Sequence, residues 1–307
     1  MASNIKVKKN ASVRLETSEL IFKIFAYFFC ILFAIMCLYP FVYTISAAIS
    51  GKGAYNSGEI VLWPVDVQFE AFKAVIMDDM FWVCYANTLF MTFYGTIWIL
   101  IVSILGGYAL SKKRLAFRSG LNFFLVFTMW FSAGLLPMWT NYKRTGDLFT
   151  SIGITDMKWL VVIAMGMNAF NVVLLRNAFE SVPKEIEEAA IVDGASEFSL
   201  LWKVYVPMSK SAIATVGLFF GISRWNGYFW AQQVISAPEQ WPLQVRIRDI
   251  LESVQDPETN NYFLSDVYAP ESGIYAMIVF AIIPIIIIYP YIQKYFATGV
   301  NLGGVKE

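Results

Sequence analysis

The residues whose types and spacing could carry chemistry sit together between Ser181 and Pro207, in SVPKEIEEAAIVDGASEFSLLWKVYVP. Histidine is absent from all 307 residues. That excludes Ser-His-Asp and Cys-His nucleophile systems and an HExxH zinc site. The segment offers docking chemistry instead. Pro183 suits a first helical turn, and Glu185, Glu187 and Glu188 place negative charge near a helix amino end, where the dipole favours it. Ile186, Ala189 and Ala190 follow at i, i+3, i+4 and give a small apolar face. The helix runs to Asp193, and Gly194 stops it, as glycine does just past a carboxyl end. Phe198, Leu201, Trp202 and Tyr205 restart an amphipathic stripe that Pro207 closes. A helix with so small a face suits insertion into another protein's groove; an ordinary surface helix is the plainer reading of the same residues.

The elements that must position this segment are membrane helices. Of the residues, 58% are hydrophobic and 15% charged, with a mean hydropathy of +0.57, against roughly 25% charged in a soluble domain. Stretches free of Asp, Glu, Lys and Arg cover 24–51, 80–111, 119–142, 159–175 and 273–293, and about 20 apolar residues cross a bilayer core. The fold expected is all-α integral membrane, with six transmembrane helices near 22–48, 85–110, 121–141, 158–179, 209–231 and 273–295. Barrel strands would alternate in segments of about ten residues, and no such pattern exists. Basic residues set the orientation: with both termini in the cytoplasm (N-in/C-in), fifteen of the 23 Lys and Arg lie inside.

The division that follows is a cytoplasmic tail over 1–21, a six-helix domain over 22–296 and a second tail over 297–307. The inner segment 181–207 and an outer loop over 232–272 are the long connections. That loop, carrying Pro238, Pro242, Pro257 and Pro270, should hold short helices or turns. A cleaved signal at the amino end is disfavoured, because the apolar run far exceeds the usual 7–15 residues. Cys30, Cys37 and Cys84 make no CxxC pair. Zero formal net charge argues against nucleic acid as a partner.

No carboxylate lies mid-span, which disfavours proton- or sodium-coupled transport. The polar candidates for a substrate path are Asn87, Asn168 and Asn171, the last two sharing a face of the fourth helix, with interhelical hydrogen bonding as the alternative. Arg224 sits in the outer third of the fifth helix among Trp225, Asn226, Tyr228 and Trp230. A wet cavity or outer gate there competes with a snorkelling arginine and an aromatic belt. Gly217 and Gly221 form a GxxxG face, and Pro284 and Pro290 should kink the sixth helix.

Glu188-Ala189-Ala190, three residues, Gly194, nine residues, then Val204-Tyr205-Val206-Pro207 resembles the EAA loop of binding-protein-dependent ABC importer permeases. Val204 and Val206 replace the Ile and Leu of the usual pattern. The six-helix layout and Arg224-Trp225-Asn226 resemble carbohydrate permeases of the maltose-transporter type, in particular the smaller permease. The end, 284–306, resembles an oligosaccharide or polysaccharide-fragment subgroup. The resemblance implies a second homologous permease subunit, two ATPase subunits, an extracytoplasmic sugar-binding protein, a carbohydrate substrate and a bacterial or archaeal cell membrane as setting. It also implies that Glu188 pairs with a basic group of the ATPase, and that Trp241 and its neighbours contact the binding protein. The chain has no GxxxxGK[ST] loop, so ATP and Mg2+ belong to the ATPase; no cofactor and no catalytic residue is expected here. A permease for another solute (peptide, amino acid or anion) and a polytopic enzyme or scaffold are the competing readings.

Overall fold

The computed structural model describes residues 17–256 and 262–299. Three helices are long and apolar enough to cross a membrane by themselves: α1 (Thr17–Ala48), α4 (Asp79–Ser111) and α15 (Pro270–Gly299). Between α1 and α4 lie the short α2 (Lys52–Asn56) and α3 (Glu70–Ile76). Then follow α5 (Arg118–Trp130), α6 (Leu135–Ser151), α7 (Lys158–Ala164) and α8 (Ala169–Glu180). The segment singled out by sequence forms α9 (Lys184–Val192), α10 (Glu197–Leu200), a π turn (Leu201–Tyr205) and α11 (Val206–Met208). The chain continues through α12 (Lys210–Trp225), α13 (Phe229–Val234), a 3-10 turn (Pro238–Gln240) and α14 (Leu243–Gln255). Among the described residues the only β pairing is one bridge, Ser50 to Val67.

Three expected helices are broken. The one expected over 121–141 ends at Trp130, and α6 leaves at 114° to it. Ser132 and Gly134, poor helix formers, lie in the gap, and Gly134 takes a φ of 85°. α5 has no buried residue and spans only about 20 Å at 1.5 Å per residue. The helix expected over 158–179 bends by 44° between α7 and α8, and the one expected over 209–231 stops at Trp225 and resumes as α13. The other three run longer than expected. α1 begins inside what reads as a tail, and α15 continues through both Pro284 and Pro290. The rest of both tails, and Pro257, lie outside the described residues.

α4 is the axis of the bundle, packed against α7, α8, α12 and α14. It approaches α8 closely at Gly107, where a Cβ would meet Leu175 Cβ at 3.1 Å and the Arg176 backbone nitrogen at 3.2 Å. Gly217 and Gly221 face the same helix, toward Leu100 and Thr96. Three buried clusters stack along it. Phe81, Leu243, Ile250 and Met277 fill one end. Met91, Leu160, Val162 and Val245 form the next, and Ile99, Leu175, Phe179, Tyr205 and Phe220 lie toward α9. α1 exposes nearly all its side chains apart from its last turn and touches α15. In water such a face would be costly, whereas hydrocarbon solvates it as well as protein does.

Within 232–272 the described residues form the end of α13, the 3-10 turn, α14 and the start of α15. α14 is amphipathic and buries Leu243, Val245, Arg246, Ile250 and Val254. Its start is pinned by Thr88, whose hydroxyl accepts from the Leu243 amide at 2.7 Å. Asn87 fixes the turn before it, donating through Nδ2 to the carbonyls of Glu239 and Trp241 at 2.8 and 3.0 Å. The Asn87 amide is therefore a bracket for the loop, and its Oδ1 accepts from Lys158 Nζ at 3.2 Å.

Candidate functional site: the exposed helix and the helix break

α9 ends as its sequence dictates. Gly194 has a φ of 82°, its amide bonds to Ile191 O at 2.9 Å, and the Ala195 amide bonds to Ala190 O at 2.9 Å. These paired bonds close a Schellman turn, for which glycine is favoured because it lacks a Cβ penalty. Pro183 stands at the N-cap, one residue before the helix. Pro207 does not end its segment. The π turn at Leu201–Tyr205 immediately precedes it, giving room where a proline ring would otherwise strike the carbonyl four residues back. The chain then turns by 85° at Ser209 into α12.

α9 has two faces. Glu185, Glu188, Ala189 and Asp193 are exposed, and Val192 at its tip is 86% exposed. Glu187 faces the opposite way. Its Oε1 accepts from Lys112 Nζ at 2.5 Å, and its Oε2 accepts from the Tyr205 hydroxyl at 2.6 Å. The Lys112 ammonium also lies 3.8 Å from the centre of the Tyr205 ring. Burial opposes ionisation of Glu187, but the hydrogen bonds from Lys112 and Tyr205 outweigh it and hold the carboxyl below its ordinary value. Burial first, and then the contact with Glu187, push the Tyr205 phenol up. Burial draws Lys112 below its ordinary value, with Glu187 working against that shift. Removing either member of a buried pair costs about 3–5 kcal/mol, because the other charge is left uncompensated.

The basic run after α4 binds further acids of the same region. Arg114 pairs with Glu197 of α10, which also accepts from the Tyr108 hydroxyl at 2.8 Å. Arg118 pairs with Glu180 at the end of α8. A cavity of about 590 Å³ lies between this run and α9, bordered by Lys113, Arg118, Glu180, Glu188 and Ile191.

The second polar region is the break between α7 and α8. Asn168 is not on a helix face shared with Asn171. It is the N-cap of α8, its Oδ1 accepting from the Phe170 amide at 2.8 Å, while Asn171 is 5% exposed in the first turn. Gly166, with a φ of 86°, lies in the bend between the two helices. Arg224 reaches this break from α12. Its Nη1 donates to Val161 O at 2.5 Å, and its Nη2 donates to Val162 O and Met165 O. Its positive charge thus caps the carboxyl end of α7, where orphan carbonyls and the helix dipole favour a cation. Both terminal nitrogens of Arg224 are thus engaged by backbone carbonyls, while its buried Nε has no hydrogen-bond partner. Beside the break, Asn168, Phe170, Asn171, Phe219 and Ser223 line a cavity of about 360 Å³.

The aromatic neighbours of Arg224 divide. Trp225 is 6% exposed, packs edge-on against Tyr85 and donates from its indole to Ala281 O at 3.2 Å; it also borders an apolar cavity of about 230 Å³ between α12 and α15. Asn226 is exposed just past α12, and Tyr228 is half-buried beneath the Arg248 guanidinium. Trp241 is half-buried, its indole donating to Ile235 O at 2.8 Å. Among the described residues no group of three His, Cys, Asp or Glu is placed to hold a metal.

The two polar regions are thus a short acidic helix tied to the end of an apolar bundle and a break between two of its helices. Over residues 16–302 the sequence matches the family described as binding-protein-dependent transport system inner membrane component. The chain belongs to that family. Among the relatives of this permease is the polygalacturonan/rhamnogalacturonan transport system permease protein YtcP of Bacillus subtilis, 33% identical and covering 93% of this chain and 98% of its own. The maltodextrin transport system permease protein MdxG of the same organism is 25% identical, over 95% and 99%. A crystal structure of a bacterial ABC transporter involved in the import of the acidic polysaccharide alginate contains a chain 41% identical. It superposes with a TM-score of 0.80 over 92% of this permease and 99% of that chain. The homologues are thus carbohydrate ABC transporter permeases.

Sequence reasoning placed Glu185, Glu188, Ala189, Ala190, Asp193 and Gly194 on one short helix and its turn, where the structure has them. It missed the partners of Glu187. Lys112, Arg114 and Arg118 read as topology signals, and nothing in their spacing says which of the nearby acids each would meet.

Proposed function

We propose that this permease is one of two homologous membrane subunits of an ABC importer that carries a carbohydrate, most simply an oligosaccharide, into the cell. Its spans are α1, α4, α5–α6, α7–α8, α12 and α15, with both termini and α9 in the cytoplasm. Two ATPase subunits dock on α9 and hydrolyse ATP with their own Mg2+; an extracytoplasmic sugar-binding protein delivers substrate at the α14 end. Glu188 meets a basic group of the ATPase. Asn168, Asn171 and the phenylalanine rings at the α7–α8 break offer amide hydrogen bonds beside flat apolar faces, which suits sugar rings, and Asn226 and Tyr228 stand further along the same side. Trp241 and its turn face the binding protein.

The observation that carries this reading is the division of α9, with Glu188 and Val192 outward and Glu187 inward. An acidic face left free while Glu187 on the other side is tied to Lys112 and Tyr205 is the arrangement a docking helix needs, one face for a partner and one fixed to the bundle. Relatives named for galacturonan, alginate and maltodextrin favour sugar over peptide, amino acid or anion.

The test is reconstitution of the four-subunit complex with its binding protein in lipid, followed by a screen of oligogalacturonides, alginate oligomers and maltodextrins for stimulated ATP hydrolysis. Stimulation by peptides or amino acids, with none by any sugar, would refute the carbohydrate assignment. In the same system Glu188→Lys should insert normally but lose transport; full uptake by that variant would remove the docking role.

A further inference from the structure

With α9 as the docking helix, on which this inference rests, its movement must reach the spans by one of two routes. The covalent route runs through Gly194 into α10 and α11, and then round the 85° turn at Ser209 into α12. It begins at a left-handed glycine around whose Cβ position there is no atom within 4 Å. It ends at a second bend. A path with two successive bends redirects an imposed movement twice before it reaches α12.

The other route is through side chains. Among the described residues, Glu187 is the charged side chain of α9 that pairs with another element. Both its oxygens are taken, one by Lys112 and one by Tyr205, and the Lys112 and Glu187 side chains are 10% and 20% exposed. Lys112 directly follows the last residue of α4, the helix against which α7, α8, α12 and α14 all pack. Glu197 of α10 is tied to the same end by Arg114 and Tyr108. One helix end therefore grips both short helices on either side of the Gly194 hinge.

We infer that Lys112 and Glu187 form the joint through which movement of α9 passes into α4, with Tyr205 holding the joint closed. The neighbouring glutamates have opposite duties, Glu188 facing the motor and Glu187 facing the pore. Both are positioning residues; neither touches substrate.

The test uses the reconstituted complex with its binding protein, carrying Lys112→Met, Glu187→Gln, the exchange Lys112→Glu with Glu187→Lys, and Tyr205→Phe. A photo-crosslinking residue at position 188 reports ATPase docking in each. Substrate moved per ATP hydrolysed should fall about tenfold in the first two, a typical coupling free energy. The exchange should recover most of the loss, and Tyr205→Phe, which keeps the ring, should lower the ratio about tenfold, the lower end for one hydrogen bond to a charged group. Cross-linking from 188 and melting temperature of the complex should stay unchanged in Tyr205→Phe and the exchange. If the cross-link forms but the ratio is wild-type in Glu187→Gln and Tyr205→Phe, the joint is overturned while docking stands. If no cross-link forms from 188 even in the wild type, the docking reading falls and takes the joint with it.

Discussion

The Nη1 of Arg224 lies 2.5 Å from the carbonyl oxygen of Val161, so the charge that the sequence places in the outer part of a span serves a neighbouring helix end. Its other nitrogen reaches Val162 and Met165, and Gly95 and Gly166 leave room for it: a Cβ on either would come within about 3.0 Å of the guanidinium. One side chain thereby terminates α7 and fixes where the span breaks.

Arg224→Met should destabilise the permease by about 2–3 kcal/mol, the range for hydrogen bonds to a charged group left unmade. Arg224→Lys should recover less than half, because a single ammonium cannot fork across three carbonyls. Melting of the detergent-solubilised complex would measure both. Equal melting temperatures for wild type and Arg224→Met would contradict the capping role.

Gly107→Leu should separate α4 from α8, since even a Cβ already stands 3.1 Å from Leu175 Cβ. Overpacking of this kind costs about 1–3 kcal/mol. The expected result is reduced assembly with the second permease at normal insertion; a disulfide between cysteines placed across the two helices at that level would form less readily than in the parent.

Gly194→Val should damage transport more than Gly194→Asn. The left-handed region costs an ordinary residue about 1–2 kcal/mol, and a β-branched one more. The Asn variant keeps most of the Schellman turn. Uptake ranked in the opposite order would place the turn elsewhere.

Asn87→Leu should free the turn before α14. It removes both donors to Glu239 and Trp241 and leaves two carbonyls unsatisfied, at about 1–3 kcal/mol. Limited proteolysis between 235 and 242 should accelerate, and delivery by the binding protein should weaken, while ATPase cross-linking from α9 is untouched.

Acid should loosen α9 from α4. The Glu187 carboxyl is depressed in the folded chain, so its contribution is complete above the ordinary value of 4.5 and is lost as pH falls through the lower folded value. Hydrogen exchange of the 184–192 amides should rise as pH drops into that window, after correction for intrinsic exchange. Glu187→Gln should show the fast exchange already at neutral pH and no further acid step.

The sequence by itself determined the kind of solvent this chain lives in, where its apolar stretches lie, and the acidic-alanine helix with its glycine stop. Those features are local: apolar run length, helix propensity and the left-handed turn each depend on a few consecutive residues. Only the tertiary structure decided which glutamate faces inward, where three expected helices break, and which backbone and core partners Arg224, Trp225 and Asn87 take up. Those are choices among distant partners. Glu187 and Glu188 are indistinguishable by type, and a one-residue step around a helix (about 100°) separates the one that meets Lys112, 75 positions away, from the one left facing outward.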